Sequence, residues 1–497
     1  MKNVLVYATG LHGCQEASML EEAIRCENEG SNVLYITCSE RMGICVDNPY
    51  ISKSFCKQCK YHHLNRAKKY IHNVKTIDDF YTDKIDDIIS HITFDYSSTK
   101  EIRSIIYEGI QIGYGALSTF ISLTRNMEPN LKDLRIREYI DYLLKSQVKL
   151  ILLLNNAILE FKPDEIYFHN GRYAQFKPIY GLALKYGINF VSTETFVYAN
   201  GDVRKNNYVN DIPHSIKAND IKYKEFWESN RNDIQRETIA KSFFENRRYG
   251  KYAGDKIYTK DQQYGLLPAN LDKTQYNIVI FNSSEDEYCS ISEEVDRSAL
   301  FESQLKGIKT IIEKYLSDKT IHFYLRVHPN LKNVSYSYHL DIYKLKYPNL
   351  TIIPADSKIS SYTLLDIADK VIVFGSTMGV EASYWKKPVI NLAYALYSLM
   401  DVVYIPKSKD ELWDLIDNRN LAMKSNDNHL KYGYYYMSEN QPKYNYVNIG
   451  FKHYYFRGKR YQVLKNATIG GSNFLYLLFY TAFNKTYKLF TKYSFLK

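Results

Sequence analysis

The chain has 497 residues, 45% of them hydrophobic and 24% charged, which is ordinary for a soluble globular protein but too long for one core, so two to three domains are expected. Seven cysteines, with Met1-Lys2-Asn3 running straight into a strand-like segment, argue against a disulfide framework behind a secretory signal and for a reducing cytoplasm. The net charge of +10 lies in one place: residues 431–497 hold eleven Lys or Arg against one acid, Glu439, so the body is neutral, which disfavours a nucleic-acid groove there and directs any acidic partner to the C-terminus.

Residues 4–8, a turn containing Gly10 and Gly13, an amphipathic segment at 16–29 and a β-rich run at 32–37 read as a βαβ opening, hence a parallel sheet. Such sheets bind ligands at the carboxyl ends of their strands, where Gly10 and Gly13 would line an active-site cleft or only turn the chain. Cys45, then Cys56-Lys57-Gln58-Cys59 with His62 close behind, has the ligand types of a structural zinc site. Only one Cys pair is present, so reduced thiols in a loop, with no metal, are the expectation.

Residues 77–100 read as irregular helix and loop, and 135–161 as a long helix whose apolar run at 150–154 is far too short to span a membrane. A strand then ends in His169-Asn170-Gly171-Arg172, followed by a helix at 177–186 and a strand at 189–192. Glu194, just past that strand, is the candidate general base. Residues 198–264 show little periodicity outside a helix at 233–248. A boundary at 265/266 opens a second βα series: strands at 277–282, 321–327 and 350–353, a helix at 301–316, and then strand, turn, helix and strand over 366–391. In that last stretch Gly375-Ser376-Thr377-Met378-Gly379 offers hydroxyls and backbone N–H groups to an anion, and Glu381 stands where a carboxylate could accept a ribose hydroxyl. The expected domains are therefore 1–265, 266–430 and a closing segment with a basic aromatic tail at 431–497.

Asn282-Ser283-Ser284-Glu285-Asp286-Glu287, Arg326-Val327-His328-Pro329, and Gly375-Ser376-Thr377-Met378-Gly379-Val380-Glu381 followed by Lys387-Pro388-Val389 resemble the donor half of bacterial capsule and surface-polysaccharide glycosyltransferases of the GT-B type. Asn170-Gly171-Arg172 with Glu194 resembles their acceptor half. The resemblance implies an α/β fold of two Rossmann-like domains facing a cleft, a nucleotide-sugar donor on the second and a glycan or lipid-linked glycan acceptor on the first. It implies Ser283, Ser284, Arg326, His328, Gly375, Ser376, Thr377, Gly379 and Glu381 as donor-binding residues and Gly10, Gly13, Asn170 and Arg172 on the acceptor side. His328 would meet the charge developing on the leaving phosphate while Glu194 takes the acceptor proton. The absence of an Asp-x-Asp clamp at a strand end fits metal-independent transfer without a cofactor. His328-Pro329 and Ser376-Thr377 also resemble the donor sites of enzymes that use cytidine nucleotides. Alternatives on the same architecture are a glycerol-phosphate transferase, a sugar-nucleotide 2-epimerase or a non-catalytic glycan-assembly protein.

In residues 473–497 an aromatic run at 474–483 precedes Lys485 and Lys488, a pattern that favours the interface of an anionic membrane over nucleic acid and places the protein at the inner face of the cytoplasmic membrane. Full-length protein should therefore float with anionic liposomes, lose them in high salt, and fail to bind when cut after Gly471. Equal flotation of the shortened chain would show that the tail is not the contact.

Overall fold

The computed structural model describes all residues except 11–12, 40–41, 44, 47, 198–200, 255–256, 425, 450–453, 457–458, 462–494 and 496–497, and only the backbone of 54, 58, 62, 446–449, 454–456 and 459–461. Two units divide the chain: residues 1–213 with 442–497, and residues 214–441. The apolar runs between polar turns form β1 (Asn3–Ala8), β2 (Asn32–Thr37), β3 (Val74–Thr76), β4 (Glu165–His169), β5 (Asn189–Val197) and β6 (Asp202–Val209) in the first unit. The second holds β7 (Tyr276–Phe281), β8 (Ile321–Arg326), β9 (Leu350–Ile353), β10 (Lys370–Val373) and β11 (Val389–Asn391). The chain then returns to the first with β12 (Lys443–Ile449), β13 (Tyr454–Phe456) and β14 (Lys459–Tyr461).

In the first unit the order is β14-β13-β12-β6-β5-β4-β1-β2-β3, with β3 to β5 parallel and the rest antiparallel. In the second it is β11-β10-β7-β8-β9, parallel throughout. Each sheet is wound outward from a central strand, β1 or β7, first to one side and then to the other. The reversal leaves a crevice at the carboxyl ends of β1 and β4, and of β7 and β10. These are the two Rossmann-like α/β units that the motifs imply. Every residue of β8 is buried, as a parallel strand covered on both faces requires. Helix Leu134–Phe161 buries Ile140, Leu144, Ile151 and Leu154, and among the described residues no helix is long and apolar enough to cross a membrane.

Three local expectations differ from the structure. Cys56 and Cys59 lie on helix Lys53–Lys68 rather than in a loop, because Ser52 accepts the N–H of Phe55 and starts a helix there. Strand β6 and helix Ile216–Ser229 occupy a stretch that reads as aperiodic, since β6 is set by its antiparallel pairing with β5 rather than by its own pattern. The division into units also falls at 213/214 and 441/442 instead of 265/266 and 430/431.

The tyrosines account for that last shift. Helix Asn428–Met437 packs on helices Ile216–Ser229 and Arg236–Arg248 through aromatic pairs: Tyr434 stacks on Phe226 at 5.2 Å, and Tyr435 meets Tyr223 edge-on at 4.9 Å. Gly433 lets the backbones close, since a Cβ there would stand 2.4 Å from the Ala240 carbonyl oxygen. Once joined, the three helices belong with β7 to β11.

Of the tail, residues 473–494 and 496–497, expected at a membrane surface, lie outside the described residues. Phe495 instead packs against Phe120 and Tyr139 of the first unit, with ring centroids at 6.2 and 5.9 Å.

The second sheet is tied to its surroundings by one buried cation. Lys370 Nζ donates to the carbonyl oxygens of Leu415 (2.6 Å), Ile416 (2.7 Å) and Asn418 (2.9 Å), capping helix Lys409–Asp417. Lys370→Met strands these acceptors and should cost about 1–3 kcal/mol in denaturant unfolding. An unchanged midpoint would show that water replaces the amine at no cost.

Candidate functional site

The parallel strands of the second unit end around a cavity of about 480 Å³, open to solvent, lined by Phe281 and Asn282 at the end of β7, Arg326 and His328 at the end of β8, and Ser376, Thr377 and Met378 after β10. Asn282 Oδ1 accepts the N–H of His328 at 2.8 Å, and His328 Nδ1 accepts the N–H of Asn330 at 3.2 Å. With Nδ1 used as an acceptor, the neutral imidazole carries its proton on Nε2. Tyr258 sets its ring edge-on to this imidazole at 5.0 Å.

Two arginines border the cavity, and their charges are handled differently. Arg247 Nε meets Glu381 Oε1 at 3.1 Å, and Tyr362 OH donates to the other carboxylate oxygen. Glu381 is only 1% exposed and has both oxygens engaged, so its first role is to neutralise Arg247 rather than to await a ribose. Arg326, 2% exposed, donates only to the carbonyl oxygens of Pro354 and Ser357, and its Nε has no partner among the described residues. Burial pushes its pKa down to about 10, the charges of Tyr343 and Asp356 oppose that shift, and no described carboxylate forms an ion pair with it. This is a buried cation at a strand end with no carboxylate in contact.

The remaining donor-side residues divide. Ser376 Oγ accepts the N–H of Met378, and Thr377 is partly exposed at the cavity wall. Gly375 (φ +74°) and Gly379 are demanded by the protein's own packing: a Cβ on the first would lie 2.1 Å from the Tyr394 carbonyl oxygen and on the second 2.2 Å from the Tyr397 hydroxyl. Ser283 does not line the cavity. Its hydroxyl donates to the Phe374 carbonyl oxygen at 2.6 Å and accepts from Gln304 at 2.9 Å, while Ser284 donates to Asp286 at 2.8 Å. The pattern of the sequence gives no sign of Arg247, Tyr258 or Tyr362, which come from segments outside the strand series.

In the first unit a second group of side chains gathers where β1, β4 and β5 end. The parallel pairing of β4 with β5 stops at His169 opposite Thr193. β5 runs on to Val197 beside β6, so Glu194 lies inside the longer strand but is the first residue past its parallel part. Asn170, in the left-handed region at φ 60°, donates from Nδ2 to Glu194 Oε2 at 2.5 Å. His169 Nε2 lies 3.7 Å from Glu194 Oε1. Arg172 donates to Ser122 at 2.8 Å with its guanidinium over the Tyr173 ring. Gly10 sits beside Gln175, whose Nε2 donates to the Gly10 carbonyl oxygen at 3.1 Å, and Gly13 precedes helix Cys14–Asn28. Asn170 and Glu194 are thus brought together, with His169 as a neighbour that the motif reading did not assign, while Arg172 joins them through its backbone N–H to Asn170 Oδ1 at 3.2 Å and sends its side chain to Ser122.

Of the weakly indicated metal ligands, Cys45, Cys56 and Cys59 are free thiols, and the side chain of His62 lies outside the described residues. Among the described residues no three His, Cys, Asp or Glu side chains are grouped to hold a metal ion.

Burial pushes the His169 imidazole below its ordinary value, and Glu194 opposes that shift. The unfolded chain therefore takes up this proton first, and stability should fall as pH drops below about 6.5. Glu194→Gln removes the opposing charge, so the His169 titration, followed by NMR, should move to still lower pH. A midpoint unmoved by that change would separate the two side chains electrostatically.

Residues 199–414, which include β7 to β11, match the family described as capsule polysaccharide biosynthesis protein, so the resemblance read from the motifs holds over that span. No curated protein matches the chain. Similar solved structures include the KpsC beta Kdo 2,4 transferase of Thermosulfurimonas dismutans, 12% identical over 54% of this chain and 78% of that one, with a TM-score of 0.34. The KpsC beta Kdo 2,7 transferase of that organism is 14% identical over 62% and 84%, at 0.32. The UDP-GlcNAc 2-epimerase of Methanocaldococcus jannaschii is 13% identical over 88% and 98%, at 0.27. Likeness at this level transfers no activity.

Proposed function

We propose that the protein is a glycosyltransferase of capsule polysaccharide biosynthesis that moves a sugar from a CMP-linked donor to a glycan or lipid-linked glycan acceptor, without a metal. The observation that carries the donor site is Arg326, a buried guanidinium with no ion-pair partner among the described residues, in the same cavity as His328 and the hydroxyls of Ser376 and Thr377. Breaking a sugar–phosphate bond leaves a full negative charge on the departing phosphate. Cations and donors fixed in place before that charge appears lower the barrier, because they need no reorganisation when it forms. The Nε2–H of His328, oriented by the Asn330 N–H, is such a donor, and Arg326 supplies the charge.

The acceptor side needs the opposite equipment. A sugar hydroxyl becomes a competent nucleophile as its proton leaves, and Glu194, partly exposed and held by Asn170, is the group we assign to take it. Arg172, with Gly10 and Gly13 nearby in the same unit, would orient the acceptor. Cytoplasmic placement at the inner membrane face, with the basic tail as the contact, belongs to the same reading.

Arg326→Gln retains a donor for the Pro354 and Ser357 carbonyl groups but no charge, so CMP affinity by calorimetry should fall about ten- to a hundredfold in a folded protein. Glu194→Gln should abolish transfer and leave CMP affinity unchanged. Incubation with a panel of nucleotide sugars separates the alternatives: transfer or slow hydrolysis releases the nucleotide, whereas an epimerase returns an isomerised nucleotide sugar. Unchanged CMP affinity in Arg326→Gln would remove this cavity as the donor site.

A further inference from the structure

Four of the seven cysteines, Cys38, Cys45, Cys56 and Cys59, line one cavity of the first unit, which occupies about 1260 Å³ including its open mouth. Two elements bring three of them there. Cys38 is the residue that follows β2, while Cys56 and Cys59 lie on helix Lys53–Lys68, which packs on β2 and β3. Positions three apart on a helix share a face, so the Cys-x-x-Cys spacing sets both thiols on the same wall. None of the four belongs to the donor or acceptor groups, and sugar transfer gives them no task.

Cys38 and Cys59 are in contact. Both are buried, Cys59 beside Phe55, and the Cys59 thiol hydrogen-bonds the Cys38 sulfur. The Gly10 N–H is directed at the same sulfur, and Met42 Sδ lies 4.0 Å from it. Cys56, one turn away from Cys59, accepts from Asn48 Nδ2 at 3.2 Å. The hydrogen bond from Cys59, with the smaller help of Gly10, holds the Cys38 thiol below its ordinary value in spite of burial, whereas Cys59, which keeps the shared proton, is held well above. A structural thiol shut in an apolar core is inert. Here a sulfur with thiolate character, a second thiol touching it and an entrance from solvent occur together.

We infer that Cys38 and Cys59 form a reversible disulfide, a redox-sensitive pair oxidised by hydrogen peroxide that enters through the cavity. The Cys38 thiolate attacks one peroxide oxygen, the O–O bond breaks, and the hydroxide that leaves takes up the proton Cys38 had released, giving water and a sulfenic acid. The Cys59 sulfur then attacks the sulfenic sulfur. The S–S bond forms, the S–O bond breaks, and the hydroxyl departs with the Cys59 proton as a second water. Two thiols and one peroxide thus become one disulfide and two waters. A reducing compartment is compatible with such a pair, since disulfides there are transient and sensing rather than structural. The assignment requires no resident ligand in the cavity, only its opening.

In full-length, reduced protein, a few equivalents of hydrogen peroxide, followed by maleimide blocking in denaturant and proteolysis, should give a peptide pair joined through Cys38 and Cys59 in mass spectrometry. Dithiothreitol should release it, and Cys14, Cys26 and Cys289 should remain open to the maleimide. Cys59→Ser should leave Cys38 as a sulfenic acid that dimedone captures, and Cys38→Ser should leave Cys59 a thiol at the same peroxide dose. A cross-link between other cysteines in its place, or four unchanged thiols in the folded chain, would overturn the inference. So would purified protein that holds stoichiometric zinc and whose thiols oxidise only after chelation, which would make the cluster a metal site. If either serine variant fails to fold, the cross-link map of the unaltered chain decides the question alone.

Discussion

A parallel sheet wound outward in both directions from one central strand must part its loops where the direction reverses, and both units of this protein are built on that constraint. Around β7 the parting brings Asn282, His328 and Ser376 to a common cavity although they are far apart in the chain. Around β1 it brings Gly10 beside the segment that follows β4, through the Gln175 hydrogen bond. The remaining architecture, including the antiparallel extension β6, β12, β13 and β14 and the tyrosine-lined helices, supports those strand ends.

Charge placement in the second unit then separates scaffold from chemistry. Arg247 and Arg326 both border the cavity, but Arg247 has Glu381 as a fixed ion-pair partner, whereas Arg326 is hydrogen-bonded to two carbonyl groups and feels Asp356 only without contact. A buried charge with a permanent partner holds a structure together, whereas one without it is costly until a ligand arrives. Tyr362 reinforces the contrast by taking the second oxygen of Glu381 and removing it as a competitor for Arg326.

The βα grammar was legible because short apolar, β-branched-rich runs such as those of β1 and β7 are bounded by polar turns, the pattern of a strand buried on both faces. The strand-end residues His328, Ser376 and Asn170 were legible for the same reason, since a parallel sheet places its strand ends at its crevices. Ser283 and Glu381 show where this reasoning stops. A residue just past a strand can turn toward the crevice or toward the neighbouring loop, and Ser283 turns to the Phe374 carbonyl group and Gln304. Glu381 does reach the cavity, but its partner Arg247 lies 134 residues away on helix Arg236–Arg248, whose own pattern says that it is a helix and not what it faces. Strand β6 was hidden likewise, since its order comes from pairing with β5 and not from its own alternation.

The two clusters differ in polarity, and that difference carries the functional argument further than either does alone. The cavity of the second unit is rich in donors: the Arg326 guanidinium, the Nε2–H fixed on His328, and two hydroxyls. The cluster of the first unit centres on an acceptor, the Glu194 carboxylate, beside an imidazole that burial keeps neutral. Kept neutral, it forms no permanent ion pair with the carboxylate, while Asn170 holds the orientation of Glu194. Group transfer from a phosphate leaving group to a hydroxyl needs this division, with preorganised positive charge for the bond that breaks and an available base for the one that forms.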